Sequence, residues 1–357
     1  MPVPTLIVAL ILGLLLLNQQ FQATTRWRWK LRLLTLEFGH WLSLVCAVLG
    51  AARWDQGWHV LLFACLMAGF LVPAVQAARV ARQHALPFSW SRLFIPGRAG
   101  RQVRVERVEC WREGGDTLDV VLYLPPGEKK NRRCVVALHT GGWDSGDPGE
   151  FRAANRELAA RCDVVICSFG YRLAPQHRWP AQAEDTRRGI AWVRAHAERL
   201  GIDPDDLVLL GRSAGAQIAT ACAFGMPELR VSRCISVYGP PDMFFAREWS
   251  YPDDILKSLK LVQQYMGGDP HEVPDAYRTA SATAFISAAS PATLLIHGAR
   301  DSLVWVEHSR RLHRQMSHVG RADYLELPWG DHGCDYFPGS PGGQLALAAM
   351  ERFLRDQ

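Results

Sequence analysis

Seven short apolar runs recur between residues 119 and 327, several separated by helical patterns, and this rhythm constrains the fold more than any other feature of the chain. The runs are DVVLYL (119–124), CVVAL (134–138), DVVICSF (163–169), DLVLLG (206–211), CISVYG (234–239), ATLLIHG (292–298) and DYLEL (323–327). Helical spacing marks EFRAANRELAAR (150–161), AEDTRRGIAWVRAHAERLG (183–201) and HSRRLHRQMSHVG (308–320), with Gly201 and Gly320 expected as C-caps. Near-continuous apolar strands must be covered on both faces, so the alternation predicts an α/β fold with a mostly parallel central sheet flanked by helices. In such sheets chemistry gathers in the loops beyond the strand C-termini.

Those loops are where the reactive residue types lie. The strand DLVLLG runs into GRSAG (211–215), followed by the apolar AQIATACAF, which reads as a helix. Glycines on either side allow a sharp strand-to-helix turn that presents Ser213 at the helix N-terminus. A serine hydroxyl is a poor nucleophile until a base takes its proton and an acid orients that base. ATLLIHG leads into ARDSLV and hence Asp301; DYLELPW leads into GDHG and hence His332. The order Ser213, Asp301, His332 is that of a nucleophile, acid and base distributed over successive strand ends. Taken singly, each has a plainer reading: serine as an N-cap, aspartate as a turn residue, histidine as a structural side chain. Asp331, His297 and Asp335 are local competitors. A fourth element, HTGGW (139–143), follows CVVAL. Its Gly141 and Gly142, with Ala214 after the serine, are candidate backbone donors to a developing oxyanion; a bare turn is the plainer alternative.

Together these pieces resemble the α/β-hydrolase superfamily over residues 105–357, nearest its hormone-sensitive-lipase-like and related carboxylesterase branches. HTGGW is similar to the family's HGGGW, GRSAG to its nucleophile elbow, and YRLAPQHRWPAQAED (171–185) to its YRLAPEHPFPAALED-type segment. The resemblance implies an α/β-hydrolase fold with a Ser213–His332–Asp301 triad, an oxyanion hole from Gly141, Gly142 and Ala214, and neither metal nor organic cofactor. Thr140 and Gln176 depart from the family's glycine and glutamate, and Thr140 is expected to bring a hydroxyl near the acyl pocket. The segment 240–285 and residues 83–104 are expected to control substrate entry.

The N-terminus is of another kind. Residues 1–25 carry no charge, nor do 38–52, which Leu33–Leu36 extend, nor Gln56–Ala78. Each approaches the roughly 20 apolar residues a bilayer span needs, so three transmembrane helices are expected, with two as the alternative. Residues 1–104 hold 11 Lys/Arg against Glu37 and Asp55, whereas the rest of the chain has a slight acidic excess. Arg26, Arg28, Lys30 and Arg32 follow the first stretch, Arg53 and Asp55 separate the second and third, and Arg79, Arg82, Arg92, Arg98, Arg101 and Arg104 follow the third. By the positive-inside rule the large C-terminal domain faces the cytoplasm. Trp27, Trp29, Trp54 and Trp58 are expected at the interfaces. The expected organisation is a membrane anchor (1–80), a basic, aromatic connector (81–104) and a catalytic domain (105–357).

This charge division argues for membrane lipids and against nucleic acid as a partner. The nine cysteines lack regular spacing, which argues against a disulfide framework. The function expected is an integral membrane serine hydrolase that cleaves hydrophobic carboxylic esters, small or lipidic. An amidase, formamidase or acyltransferase using the same triad is the alternative, and a non-catalytic membrane-tethered binding module is a further one.

Overall fold

The computed structural model describes residues 3–52, 54–95, 97 and 99–356; Arg53 and Arg98, counted above among the basic flanks, lie outside them. The chain divides into two compact units that do not follow sequence order. One contains Met1–Gly97, Gly298–Leu303 and Leu327–Ala349, and the other Arg98–His297, Val304–Glu326 and Met350–Gln357.

Four helices open the chain: α1 (Val3–Gln20), α2 (Arg26–Ala51), α3 (Gly57–Gln83) and the short α4 (Trp90–Phe94). The strands and helices that follow are β1 (Arg104–Glu113), β2 (Asp116–Leu124), β3 (Arg132–Leu138), α5 (Arg152–Cys162), β4 (Val165–Phe169), α6 (Ala181–Ala195), α7 (Ala197–Leu200), β5 (Ile202–Arg212) and α8 (Ala214–Gly225). Then come β6 (Arg233–Val237), α9 (Met243–Glu248), α10 (Ser258–Met266), α11 (Pro274–Ala280), β7 (Ala292–Gly298), α12 (Glu307–Met316), β8 (Ala322–Leu327) and α13 (Pro341–Arg355).

The eight strands form one sheet in the order β1-β2-β4-β3-β5-β6-β7-β8. β3 pairs in parallel with β4 and β5, and β6 with β5 and β7; β1–β2 and β2–β4 are antiparallel. Each of the seven apolar runs lies on a strand, and β3, β4 and β6 are buried almost throughout, as double-sided cover requires. The periodicity missed β1, whose charged, part-exposed residues suit an outer strand that must resist pairing with another chain. The helical pattern 183–201 is broken at His196 into α6 and α7, and Gly201 caps α7 in the left-handed conformation. Gly320 does not cap α12: the helix ends at Met316, and Ser317 is its C-cap.

Helix α8 is buried from Ala214 to Phe224, which is why AQIATACAF is mostly apolar or small on every side, Gln217 being the large polar exception. Its approach to the sheet is main chain on main chain. A Cβ at Gly215 would lie 2.4 Å from the Leu138 carbonyl oxygen and 2.5 Å from that of His139, at the end of β3. A Cβ at Gly211 would lie 2.1 Å from the Gly215 carbonyl oxygen.

In the other unit α1, α2 and α3 share a core of Ala9, Leu12, Cys46, Phe63, Leu66 and Phe70. A Cβ at Gly39 would lie 2.5 Å from the Phe70 carbonyl oxygen, so this glycine sets the α2–α3 crossing. α2 is kinked at Phe38 (φ −119°, ψ 15°). By length and composition α2 and α3 are apolar enough to cross a membrane, and α1 is a shorter apolar helix. α3 runs to Gln83, three residues beyond the anchor boundary expected at residue 80.

The close approach at Gly215 sets an expectation. Gly215→Ala forces α8 away from the end of β3 and is expected to cost about 2–3 kcal/mol, the scale of overpacking in a rigid core. Thermal unfolding in detergent checks this; a midpoint equal to wild type contradicts the main-chain contact.

Candidate active site

Ser213 lies between β5 and α8 with φ 54° and ψ −121°, outside the region an L-residue prefers. Its amide donates to the Val237 carbonyl at 2.9 Å, and its carbonyl accepts from Ala216 N at 2.9 Å, so the strained turn is held from both sides. The side chain makes no capping hydrogen bond to α8, which removes the N-cap explanation for a serine here. Backbone strain of this kind persists only where neighbours over-determine it, and it collects at functional sites.

The loop after β3 lies against the same helix end, because Gly215 abuts the Leu138 and His139 carbonyls. Gly141 (φ 118°), Gly142 (φ 59°) and Trp143 (φ 67°) all have left-handed backbones. A Cβ on Gly141 would overlap the Ser145 carbonyl, so this turn tolerates no larger residue. His139 stacks on Tyr171 at 4.0 Å with an interplanar angle of 9°, and the Tyr171 hydroxyl donates to the His139 carbonyl at 3.1 Å. Burial lowers the His139 pKa, favouring the neutral imidazole. The Thr140 hydroxyl donates to Glu150 Oε2 at 2.6 Å.

A polar hub that the sequence reading missed fixes this loop. Gln217 Oε1 on α8 accepts from Trp143 Nε1 and from the Tyr265 hydroxyl, each at 2.9 Å, while its Nε2 donates to the Ala280 carbonyl at 2.7 Å. The Trp143 and Tyr265 rings stack at 4.5 Å. One buried amide thereby ties the glycine loop, α8 and the 240–285 segment together. Tyr265, a long-range partner, leaves no periodic trace near Trp143.

In the other unit, Asp301 follows β7 and His332 follows β8. His332 Nδ1 and Asp301 Oδ2 are 2.8 Å apart, both residues are buried, and Asp301 Oδ1 accepts from Leu303 N at 2.8 Å. Of the three competitors, His297 is held within the sheet unit by Ser309 Oγ (2.7 Å) and the Val304 carbonyl (3.0 Å). Asp331 accepts from Ser302 N and from His332 N, each at 2.8 Å, and pairs with Arg32. Asp335 is buried, and it is Asp301 that meets His332 Nδ1. The structure thus brings together Asp301 and His332 in one unit, and Ser213, Ala214, Gly141 and Gly142 at one end of the sheet in the other. Among the described residues no cluster of three or more His, Cys, Asp or Glu side chains is arranged to hold a metal.

Comparison with known proteins agrees with this architecture. The BD-FAE family model matches residues 118–316. A Mycobacterium tuberculosis protein named "Probable carboxylic ester hydrolase LipM" is 28% identical over 272 residues, covering 72% of this chain and 59% of that protein. Esterase LipC from the same organism is 32% identical over 234 residues, covering 60% of this chain and 56% of that protein. The chain therefore spans somewhat over half the length of these relatives. The crystal structure of esterase LipW from Mycobacterium marinum superposes with a TM-score of 0.60 at 23% identity, over 79% of this chain and 88% of that one. Strand order, elbow and the family match over more than half of its length lead to one conclusion: the chain belongs to the BD-FAE family, within the α/β-hydrolase fold.

Proposed function

We propose that the protein is a membrane-anchored serine hydrolase that cleaves carboxylic esters, acting on hydrophobic acyl esters from the side of the bilayer. The observation that carries this reading is the strained backbone of Ser213 at the turn between β5 and α8. Relatives named as ester hydrolases support the reaction class.

In the proposed reaction Ser213 Oγ attacks the ester carbonyl while His332 Nε2 accepts its proton. Asp301 holds the Nδ1–H of the imidazole, fixing its tautomer and stabilising the imidazolium. The N–H groups of Gly141, Gly142 and Ala214 receive the oxyanion, a role suited to a loop in which two glycines take positive φ angles next to the serine's helix. His332 returns the proton to the leaving alcohol, and water then hydrolyses the acyl-enzyme by the same route. The chain itself supplies every group this needs.

Membrane attachment rests on what α1, α2 and α3 leave uncovered. Leu6, Ile7, Leu10, Ile11, Leu14 and Leu17 on α1 are exposed, as are Leu44, Val45 and Val48 on α2 and Leu61 and Val72 on α3. Apolar surface on this scale calls for a hydrocarbon environment. The basic residues flanking these helices favour a cytoplasmic catalytic domain. Phe244, Trp249, Tyr251 and Trp305 add exposed aromatic surface at the 240–285 segment and the start of α12, where a hydrophobic acyl chain would enter.

Two outcomes follow from this reading. Wild-type protein in detergent is expected to form one fluorophosphonate adduct on Ser213, and Ser213→Ala none, with ester turnover reduced by roughly 10⁴-fold or more. Asp301→Asn is expected to lower kcat by about 10²–10⁴-fold with little change in KM. Intact mass, peptide mapping and steady-state kinetics on an ester series graded by acyl length read both, and faster turnover of fully water-soluble esters than of any long-chain ester refutes the hydrophobic preference. The protein is also expected to remain with vesicles through alkaline carbonate washing and to float with them in a density gradient. Release into the wash refutes integral anchoring.

A further inference from the structure

The buried side of α2 is polar where an ordinary lipid-embedded helix would be apolar. It carries Arg32, Thr35, Glu37, His40 and Ser43. Three residues of this helix grip the segments that hold Asp301 and His332, all within one compact unit. Trp29 Nε1 donates to the His332 carbonyl at 3.2 Å. Glu37 accepts from Trp329 Nε1 at 3.3 Å and from Gly342 N at 2.9 Å, bracketing the histidine loop on either side. Arg32, with no exposed side-chain surface, donates through Nη1 to Asp331 Oδ2, to the Arg300 carbonyl at 3.0 Å and to Ser302 Oγ at 2.9 Å.

Asp331 is the joint between the two loops. Its Oδ1 accepts from Ser302 N, next to Asp301, and from the amide of His332. Burial raises the Asp331 pKa and the neighbouring Asp301 adds to the rise, whereas Arg32 opposes it. A carboxylate one residue from His332 is a rival to Asp301 for the imidazole, and Arg32 commits it elsewhere. Stability alone is a weak reason for this arrangement: a buried ion pair rarely outweighs its desolvation, and Arg32 Nη2 has no hydrogen-bond partner.

We propose that Arg32 and Trp29, on an apolar N-terminal helix, are positioning residues for the Asp301–His332 pair, so that the anchor is part of the catalytic apparatus as well as its tether. This rests on the serine-hydrolase reading above. Arg32 acts through the carboxylate and main chain around His332, and Trp29 through the His332 carbonyl, with its ring 6.4 Å from the imidazole.

The test uses full-length protein in lipid nanodiscs, with ester kinetics normalised to the number of Ser213 sites titrated by a fluorophosphonate. Arg32→Met is expected to lower kcat per titrated site by about 10–100-fold, the scale of small misplacements in an active site, with KM within about threefold of wild type. Arg32→Lys is expected to restore most of the loss, and Leu44→Ala, on the exposed side of the same helix, to match wild type. A merely structural role lowers the number of titratable sites and leaves kcat per site unchanged. Should Arg32→Met fail to fold, Trp29→Phe decides, because it keeps an aromatic side chain while removing the indole N–H with its five-membered ring; a fall of about 3–10-fold in kcat per site is expected. Unchanged kcat per site in whichever of these variants folds overturns the proposal while wild-type turnover leaves the ester reading standing. A wild type with neither adduct nor turnover overturns that reading and this inference with it.

Discussion

Two pieces of main chain meet without side chains between them at the elbow after β5, and the geometry of the reactive end of the sheet depends on that contact. Gly211 and Gly215 allow the first turn of α8 to rest on the Leu138 and His139 carbonyls. The helix is thereby placed against the end of β3, the serine is forced into its strained backbone, and the glycine loop is brought beside it. Gln217, one turn further along α8, extends the same placement into the 240–285 segment through Trp143 and Tyr265. A small residue where another backbone must come close is therefore the physical root of the candidate oxyanion loop and nucleophile alike.

The N-terminal helices reconcile two demands on one surface. Their outward sides are apolar, while the inward side of α2 is lined with hydrogen-bonding groups directed at protein loops. A buried polar group must find partners inside the molecule, so the loops carrying Asp301 and His332 satisfy the helix as much as the helix holds the loops. The kink at Phe38 divides α2 between these tasks. The polar grip lies at or before it, and the packing on α3 through Gly39, Ser43 and Cys46 lies after it.

Local features of the fold were legible in the sequence because they are written in local patterns. Strands buried on both faces leave unbroken apolar runs, and a sharp elbow leaves glycine, serine and small residues at fixed offsets. β1 was invisible because an outer strand with charged residues has no such run. Gly320 looked like a cap because helix periodicity continues to it, while the backbone turns off at Ser317. The candidate residues Asp301 and His332 were named from strand ends, with Asp301 ahead of Asp331 because side chains of adjacent residues such as Asp331 and His332 seldom face each other, and it is Asp301 Oδ2 that lies 2.8 Å from His332 Nδ1. Arg32 and Trp29 carried the least legible role. In one dimension a basic, aromatic cluster beside an apolar run reads as a membrane flank, and nothing local shows that both side chains also bond to groups some 270–300 positions later in the chain.

That separation in sequence bears on how the protein is made. Closing a loop of about 300 residues costs on the order of 5 kcal/mol of chain entropy before any contact is gained. Helix α2 is made long before Asp331, so Arg32 and Glu37 lack their long-range partners while most of the sheet is synthesised. The segment that carries the candidate residue His332 can be gripped by α2 only after both stretches of chain exist, so most of the sheet is made in the interval between two partners that must later find each other.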